Sequence, residues 1–168
     1  MPHATNRTDN RDTPWVIHCD GSAVPNPGRM GLGAVMTAPD GTRHTLSLAT
    51  HTTGCNNEAE LRALMAALRE LPSRGATTLT VYSDNAIVVE QLGGGASHSP
   101  AMAGGAPVAP IARLAALFDE ARGLLAAFDR ATVHWIPRHR NAEADALARA
   151  ALGLLPKAAA ASSKRKRR

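Results

Sequence analysis

An α/β domain with a five-stranded mixed sheet and helices packed on it is the fold class that this sequence predicts, on three observations. Three short β-rich runs follow one another with only turn residues between them, which reads as consecutive hairpins. Segments of helical periodicity then alternate with two further β-rich runs, the pattern of strands joined by helices. The chain has 168 residues, and since domains commonly run ~100–200 residues a single core accounts for it.

Taken in order, Trp15 to Cys19 is the first apolar run, Gly31 to Thr37 the second and Thr42 to Thr50 an alternating third. Pro25-Asn26-Pro27-Gly28 supplies a turn between the first two. A helix is predicted over 57–71, where Ala63, Leu64 and Ala67 recur at helical spacing. Thr77 to Tyr82 is the fourth β-rich run, followed by a helix over 84–92. Gly93 to Pro110 is rich in Gly, Ser, Pro and Ala without periodicity and reads as a long loop or linker. A helix over 110–128, a fifth strand over Thr132 to Ile136 and a last helix over 142–154 complete the domain. Residues 1–13 and 156–168 lack periodicity and are expected to be flexible ends around a domain at 14–155.

The formal net charge of +5 is concentrated in one place. Lys157 to Arg168 holds six basic residues and no acid, and removing those six from the 19 in the chain leaves 13 against 14 acidic residues. Such a run tethers a protein to phosphate through counterion release, or equally serves as a solvated tail that aids solubility. No apolar run approaches the ~20 residues of a membrane span. Met1 to Thr13 is polar, so the expected location is the cytoplasm. Cys19 and Cys55 form no CxxC pair and are read as reduced.

Four carboxylates stand in strings that suit metal-assisted cutting of nucleic acid: Asp20, Glu60, Asp84 and Asp145. Carboxylates repel, so gathering four is costly unless a divalent cation neutralises them, and hard cations such as Mg2+ prefer oxygen ligands. Asp20 ends the first apolar run, and Gly21 after it leaves room for a phosphate backbone because it has no Cβ. Glu60 shares its helical face with Ala63, Leu64 and Ala67 and borders the sheet-facing stripe, whereas Glu58 faces Arg62 four residues on. Asp84 opens a helix and is also placed to cap it, and Asp145 lies in a first helical turn, where the macrodipole favours an anion.

The strings Asp20-Gly21-Ser22 with Asn26-Pro27-Gly28, Asn56-Asn57 with Glu60-Leu61, Ser83-Asp84, and Ala144-Asp145-Ala146-Leu147-Ala148 occur in that order over roughly residues 14 to 153. In this the chain resembles the type 1 ribonuclease H family. The resemblance implies a ribonuclease H-like fold: a five-stranded mixed sheet of order 3-2-1-4-5, its first three strands antiparallel, with helices on both faces. It implies endonucleolytic cleavage of the RNA strand of an RNA–DNA hybrid with two Mg2+ ions, or Mn2+ in their place, leaving 5′-phosphate and 3′-hydroxyl ends. Asp20, Glu60, Asp84 and Asp145 are then the metal ligands. Asn26, Asn56, Asn57 and the Gly21 amide match positions that contact the hybrid, and amide side chains both donate to and accept from a 2′-hydroxyl. A competing reading has the asparagines cap the helix that starts near Asn57. The expected partner is an RNA–DNA hybrid, and the expected state a monomer.

Three departures narrow what carries over. His139 stands six residues before Asp145, in the manner of the family's short-loop branch. It reads either as an aid to proton traffic, for which a histidine pKa of about 6.5 is suited, or as an exposed basic residue that meets phosphate. The basic protrusion of some members is replaced by Gly93 to Pro110, which has no lysine, arginine or aromatic residue, and Cys55 replaces a threonine common before the paired asparagines. The rival from another class is a ribonuclease H-like module that binds nucleic acid without cutting; the presence of all four carboxylates argues against it.

Overall fold

The computed structural model describes residues 12–93 and 112–156. Strands β1 (Trp15–Val24), β2 (Gly28–Thr37) and β3 (Arg43–Gly54) form an antiparallel meander. Helix α1 (Asn56–Glu70) carries the chain back to β4 (Thr78–Ser83), which pairs parallel with β1. After α2 (Ala86–Gly93) and α3 (Ala115–Ala126), β5 (Arg130–Trp135) pairs parallel with β4, and α4 (Ala142–Ala151) closes the fold. The sheet order is β3-β2-β1-β4-β5, as the resemblance implied. Helices α1, α2 and α3 pack together on one face, while α4 lies on the other against β1, β2 and β3.

Glycine decides how near those helices come. Glycine inside a strand weakens it unless another backbone needs the space, and here one does on each face. A Cβ on Gly33 would lie 2.2 Å from the Ala144 carbonyl oxygen, and one on Gly31 would lie 2.1 Å from that of Ala148. Ala144 and Ala148 are one helical turn apart and fully buried, so α4 seats a two-alanine ridge on a two-glycine floor. On the opposite face a Cβ on Gly21 would lie 2.2 Å from the carbonyl carbon of Ala59 in α1. Around this contact Ile17, Leu61, Leu64, Met65, Leu68 and Val81 form a closely packed, fully buried core.

Several boundaries differ from those the sequence predicted. β1 does not stop near Cys19: Asp20, Gly21 and Ser22 stay in register with Gly33, Leu32 and Gly31 of β2, so Asp20 lies inside the strand. β3 runs on to Gly54. The helix expected from residue 84 starts at Ala86, and the one expected over 110–128 is a short 3-10 turn at Ala112–Leu114 followed by α3. α4 ends at Ala151, and the chain turns away at Gly153, whose φ of +73° suits a residue without a Cβ. Met1 to Arg11, most of the Gly93 to Pro110 loop and the basic run from Lys157 lie outside the described residues. Among the described residues no helix is long and apolar enough to cross a membrane.

The pairing of β1 with β4 ends at His18 and Tyr82, while β1 continues to Val24. Side chains take over the exposed strand edge: Asn141 Nδ2 donates to the Cys19 carbonyl at 2.9 Å, and the Ala23 amide donates to Asn56 Oδ1 at 2.8 Å. Beside this edge the functional cleft opens.

The alanine-on-glycine contact predicts that Gly33→Ala lowers unfolding free energy by about 2–3 kcal/mol, because backbone must move to admit the methyl. Urea denaturation checks this; a change below about 0.5 kcal/mol, within the range of a surface substitution, is incompatible with the contact.

Candidate metal centre and nucleic-acid cleft

Asp20 from the interior of β1, Glu60 from α1 and Asp84 from the segment just after β4 each offer a carboxylate oxygen, all within 4.8 Å of one another. Each is held by a separate local device. Asp20 faces Gly33 across the ladder. Glu60 arrives because Gly21 admits the α1 backbone; a Cβ there would stand 2.3 Å from the Glu60 amide nitrogen. The side of Gly21 left open by its missing Cβ is therefore filled by the helix, while Gly21 itself still lines the cleft. Asp84 is relieved of capping by its neighbour: Asn85 Oδ1 accepts from the amides of Ile87 and Val88 at 2.9 and 3.1 Å.

The asparagines do not cap α1. That role falls to Cys55, whose Sγ accepts from the Glu58 amide at 3.4 Å. Asn56 instead braces the end of β1 through Ala23, and its amide donates to Asn26 Oδ1 at 3.1 Å. Asn85 Nδ2 donates to Asn57 Oδ1 at 2.7 Å, tying the start of α1 to the start of α2. Glu58 pairs with Arg62 at 3.6 Å, away from the carboxylate group.

Asp145 stands outside the group of three and reaches it through a side-chain hydrogen bond with Asp20. Burial, then the charge of Asp84, then Asp145 push the Asp20 carboxyl up to about 8, against the pull of a hydrogen bond from the Gly21 amide. Burial first, then Asp20 and Asp84, hold Glu60 well above the usual carboxylate range, while an Asn85 hydrogen bond and the Arg138 charge act the other way. The Cys19 thiol is driven up by burial and by the Glu60, Asp20 and Asp84 charges, which makes it a poor nucleophile. Glu60 Oε2 is buried with no hydrogen-bond partner. Crowded acids with raised proton affinity and an orphaned oxygen fit a hard divalent cation, which would satisfy all of them together.

The group lines a cleft of about 200 Å³, whose walls also include Gly21, Ser22, Asn56, Arg138 and Arg149. His139 does not line it. The 3-10 turn Arg138–Arg140 leaves His139 exposed and presents Arg138, so the cation facing Glu60 is an arginine. Asn26 and Asn57 also stand outside the cleft lining and act on it through Asn56 and Asn85. Sequence reasoning passed over Arg138, Arg149 and Asn85. Arg149 carried a readable signal, being four residues after Asp145 and thus on the same face of α4, and Arg138 stood in a visible basic string.

A family model described as RNase H matches residues 12–153. A bifunctional protein of Mycobacterium tuberculosis is 35% identical over 154 residues, covering 88% of this chain and 38% of that protein. The chain thus spans well under half the length of the curated relatives it matches first. The N-terminal RNase H domain of the Mycobacterium tuberculosis protein, solved as a fusion with maltose-binding protein, superimposes with a TM-score of 0.70 at 34% identity, over 89% of this chain and 98% of that one. A ribonuclease H of Cupriavidus pinatubonensis is 33% identical over 141 residues, 79% of this chain and 91% of that protein. LC11-RNase H1, solved in complex with an RNA/DNA hybrid, gives a TM-score of 0.64 at 28% identity, over 86% of this chain and 99% of that one.

The raised Asp20 carboxyl has a consequence for stability. Between its ordinary value of 3.8 and about 8 the folded chain holds a proton that the unfolded chain has released, so the metal-free protein loses stability as pH rises through that window. Its melting temperature is expected to climb as pH is lowered from about 8 to about 6, and Asp20→Asn to raise it at pH 8 and flatten the dependence. Parallel melting curves for the two proteins would contradict the arrangement.

Proposed function

Because this chain belongs to the ribonuclease H family, we propose that it is a metal-dependent endonuclease that hydrolyses the RNA strand of RNA–DNA hybrids and leaves 5′-phosphate and 3′-hydroxyl ends. The observation that carries the reading is the group of Asp20, Glu60 and Asp84, with oxygens within 4.8 Å, opening onto a polar cleft. Support for the substrate comes from LC11-RNase H1, a relative bound to an RNA/DNA hybrid. Two free thiols accord with the cytoplasm, and a monomer acting on one hybrid at a time completes the proposal.

Asp20, Glu60 and Asp84 would hold Mg2+, or Mn2+ as a substitute, with Asp145 joining from α4 beside Asp20. Bound metal supplies a water of lowered pKa and neutralises charge on the leaving 3′ oxygen. The chain's own groups prepare the site. Asp20 and Glu60 give up the protons that burial favours and enter as carboxylates, and Arg138 helps Glu60 to do so. Asn56 keeps its Oδ1 on Ala23, which turns its NH2 group to the cleft side as a donor for a sugar or phosphate oxygen. Asn26 and Asn57 contribute to hybrid binding by holding Asn56 and Asn85 in place. The basic run Lys164 to Arg168 is proposed to add non-specific attraction, since the rest of the chain carries 14 basic against 14 acidic residues.

A labelled hybrid incubated with and without Mg2+, beside single-stranded RNA and duplex DNA, tests the function; binding without cutting in Mg2+ would favour the non-catalytic module. Asp20→Asn and Asp84→Asn are each expected to leave less than about a tenth of the wild-type rate, because an amide keeps the shape and loses the charge that binds a cation. Glu60→Gln should be nearly inactive, while Glu58→Gln, which loses only its pair with Arg62, cuts within about twofold of the wild-type rate. A reversal of the two glutamate variants would overturn the assignment of the α1 face.

A further inference from the structure

The cleft that holds the carboxylates is also lined by arginine. Arg149 lies one helical turn beyond Asp145 on α4, half-buried, and lines the cleft beside Ser22, Ala23 and Val24. Its Nε donates to the Leu155 carbonyl at 2.7 Å. That carbonyl reaches it because the chain reverses at Gly153, in the left-handed region at φ +73°, and the Leu154 amide closes the turn on the Arg149 carbonyl at 2.9 Å. The arginine is thus gripped by the turn that ends its own helix. No carboxylate of the described residues forms an ion pair with it, although the cleft it lines contains three.

We infer that Arg149 is a phosphate-binding residue of the cleft, positioned by the Leu155 carbonyl, and that the turn 152–155 is therefore part of the hybrid-binding machinery. The inference rests on the reading of the cleft as the seat of an RNA–DNA hybrid. A guanidinium has five N–H donors in a rigid fork, and Leu155 occupies only the one on Nε. The two terminal NH2 groups are left to form the planar donor pair that matches two oxygens of a phosphodiester. The scissile phosphate belongs with the carboxylates, so the phosphate that Arg149 receives is a neighbouring one along the strand. Held by helix and turn together, the fork loses little rotational freedom on binding, which favours affinity over turnover.

The test uses the full-length protein with hybrid in Mg2+, measuring KM and kcat at several salt concentrations for wild type, Arg149→Ala, Arg149→Lys, Gly153→Val and the Arg149→Ala/Gly153→Val double variant. Arg149→Ala is expected to raise KM about tenfold with kcat within about twofold, as loss of a charge-assisted contact made equally in ground and transition states requires. The log–log salt slope of KM should fall by about 0.9, the value of one phosphate contact. Arg149→Lys should keep the salt slope and raise KM only about threefold, since it keeps the charge and loses the fork. Gly153→Val strains the turn and withdraws the Leu155 carbonyl; its KM should rise toward that of Arg149→Ala, and the double variant should be no worse than Arg149→Ala alone. Unchanged KM and salt slope in Arg149→Ala, or full additivity with Gly153→Val, would overturn the inference while wild-type cutting leaves the proposed function standing. Absence of cutting by the wild-type chain would overturn both.

Discussion

Three carboxylates held within 4.8 Å of one another, two of them with proton affinity raised chiefly by burial, form the constraint around which the rest of this structure is arranged. Like charges at that spacing in poor solvent are unfavourable as anions, so the apo protein lowers the cost by retaining protons. The same feature makes the site receptive: a divalent cation held there would exchange for those protons and satisfy the buried Glu60 Oε2. Stability is spent locally on readiness to bind, a common trade at functional sites.

Keeping such a cluster together requires a rigid frame, and close backbone packing supplies it. Gly21 brings α1 down on one face of β1 and so delivers Glu60; Gly31 and Gly33 bring α4 down on the other and so deliver Asp145 to the side of Asp20. At 2.1–2.4 Å from a hypothetical Cβ to the facing backbone, neither helix has room to slide past a side chain. Asparagines then finish what the ladder leaves open. Asn141 and Asn56 satisfy the unpaired edge of β1, and Asn85 caps α2 while reaching Asn57 and Glu60, so that amide side chains tie α1 to β1 and to the start of α2.

Both signs of charge line the cleft. Arg138 acts on Glu60, and Arg149 lines the same cleft with its own anchor. On the proposed function, a nucleic acid crossing this cleft would meet the carboxylate group at one phosphate and a fixed guanidinium at another, and these two contacts would set its register. The body is near neutral and the basic excess is confined to Lys157 to Arg168, so on the proposed function short-range geometry would carry more of the recognition within the cleft than net charge does.

Much of this was written in the sequence because its physics is local. The five strands follow from β-rich runs and turn residues, the sheet order from motifs shared with a family, and the preference for Glu60 over Glu58 from helical spacing alone. Tertiary structure decided what local pattern leaves undetermined. Whether Asp20 ends a strand or sits inside one depends on pairing with Gly33, a residue elsewhere in the chain. Whether Asp84 or Asn85 caps α2, and whether Cys55 or the asparagines cap α1, is a competition between neighbours that only the three-dimensional positions of Ala23, Glu60 and Asn57 resolve. The basic string Arg138-His139-Arg140 was visible, yet its 3-10 turn chooses Arg138 over His139 to face the acids. Composition and periodicity fix which groups are available and roughly where they lie along an element. Which of them meet is set by packing between distant segments, because the energies of capping, pairing and burial are comparable and only their simultaneous satisfaction selects one arrangement.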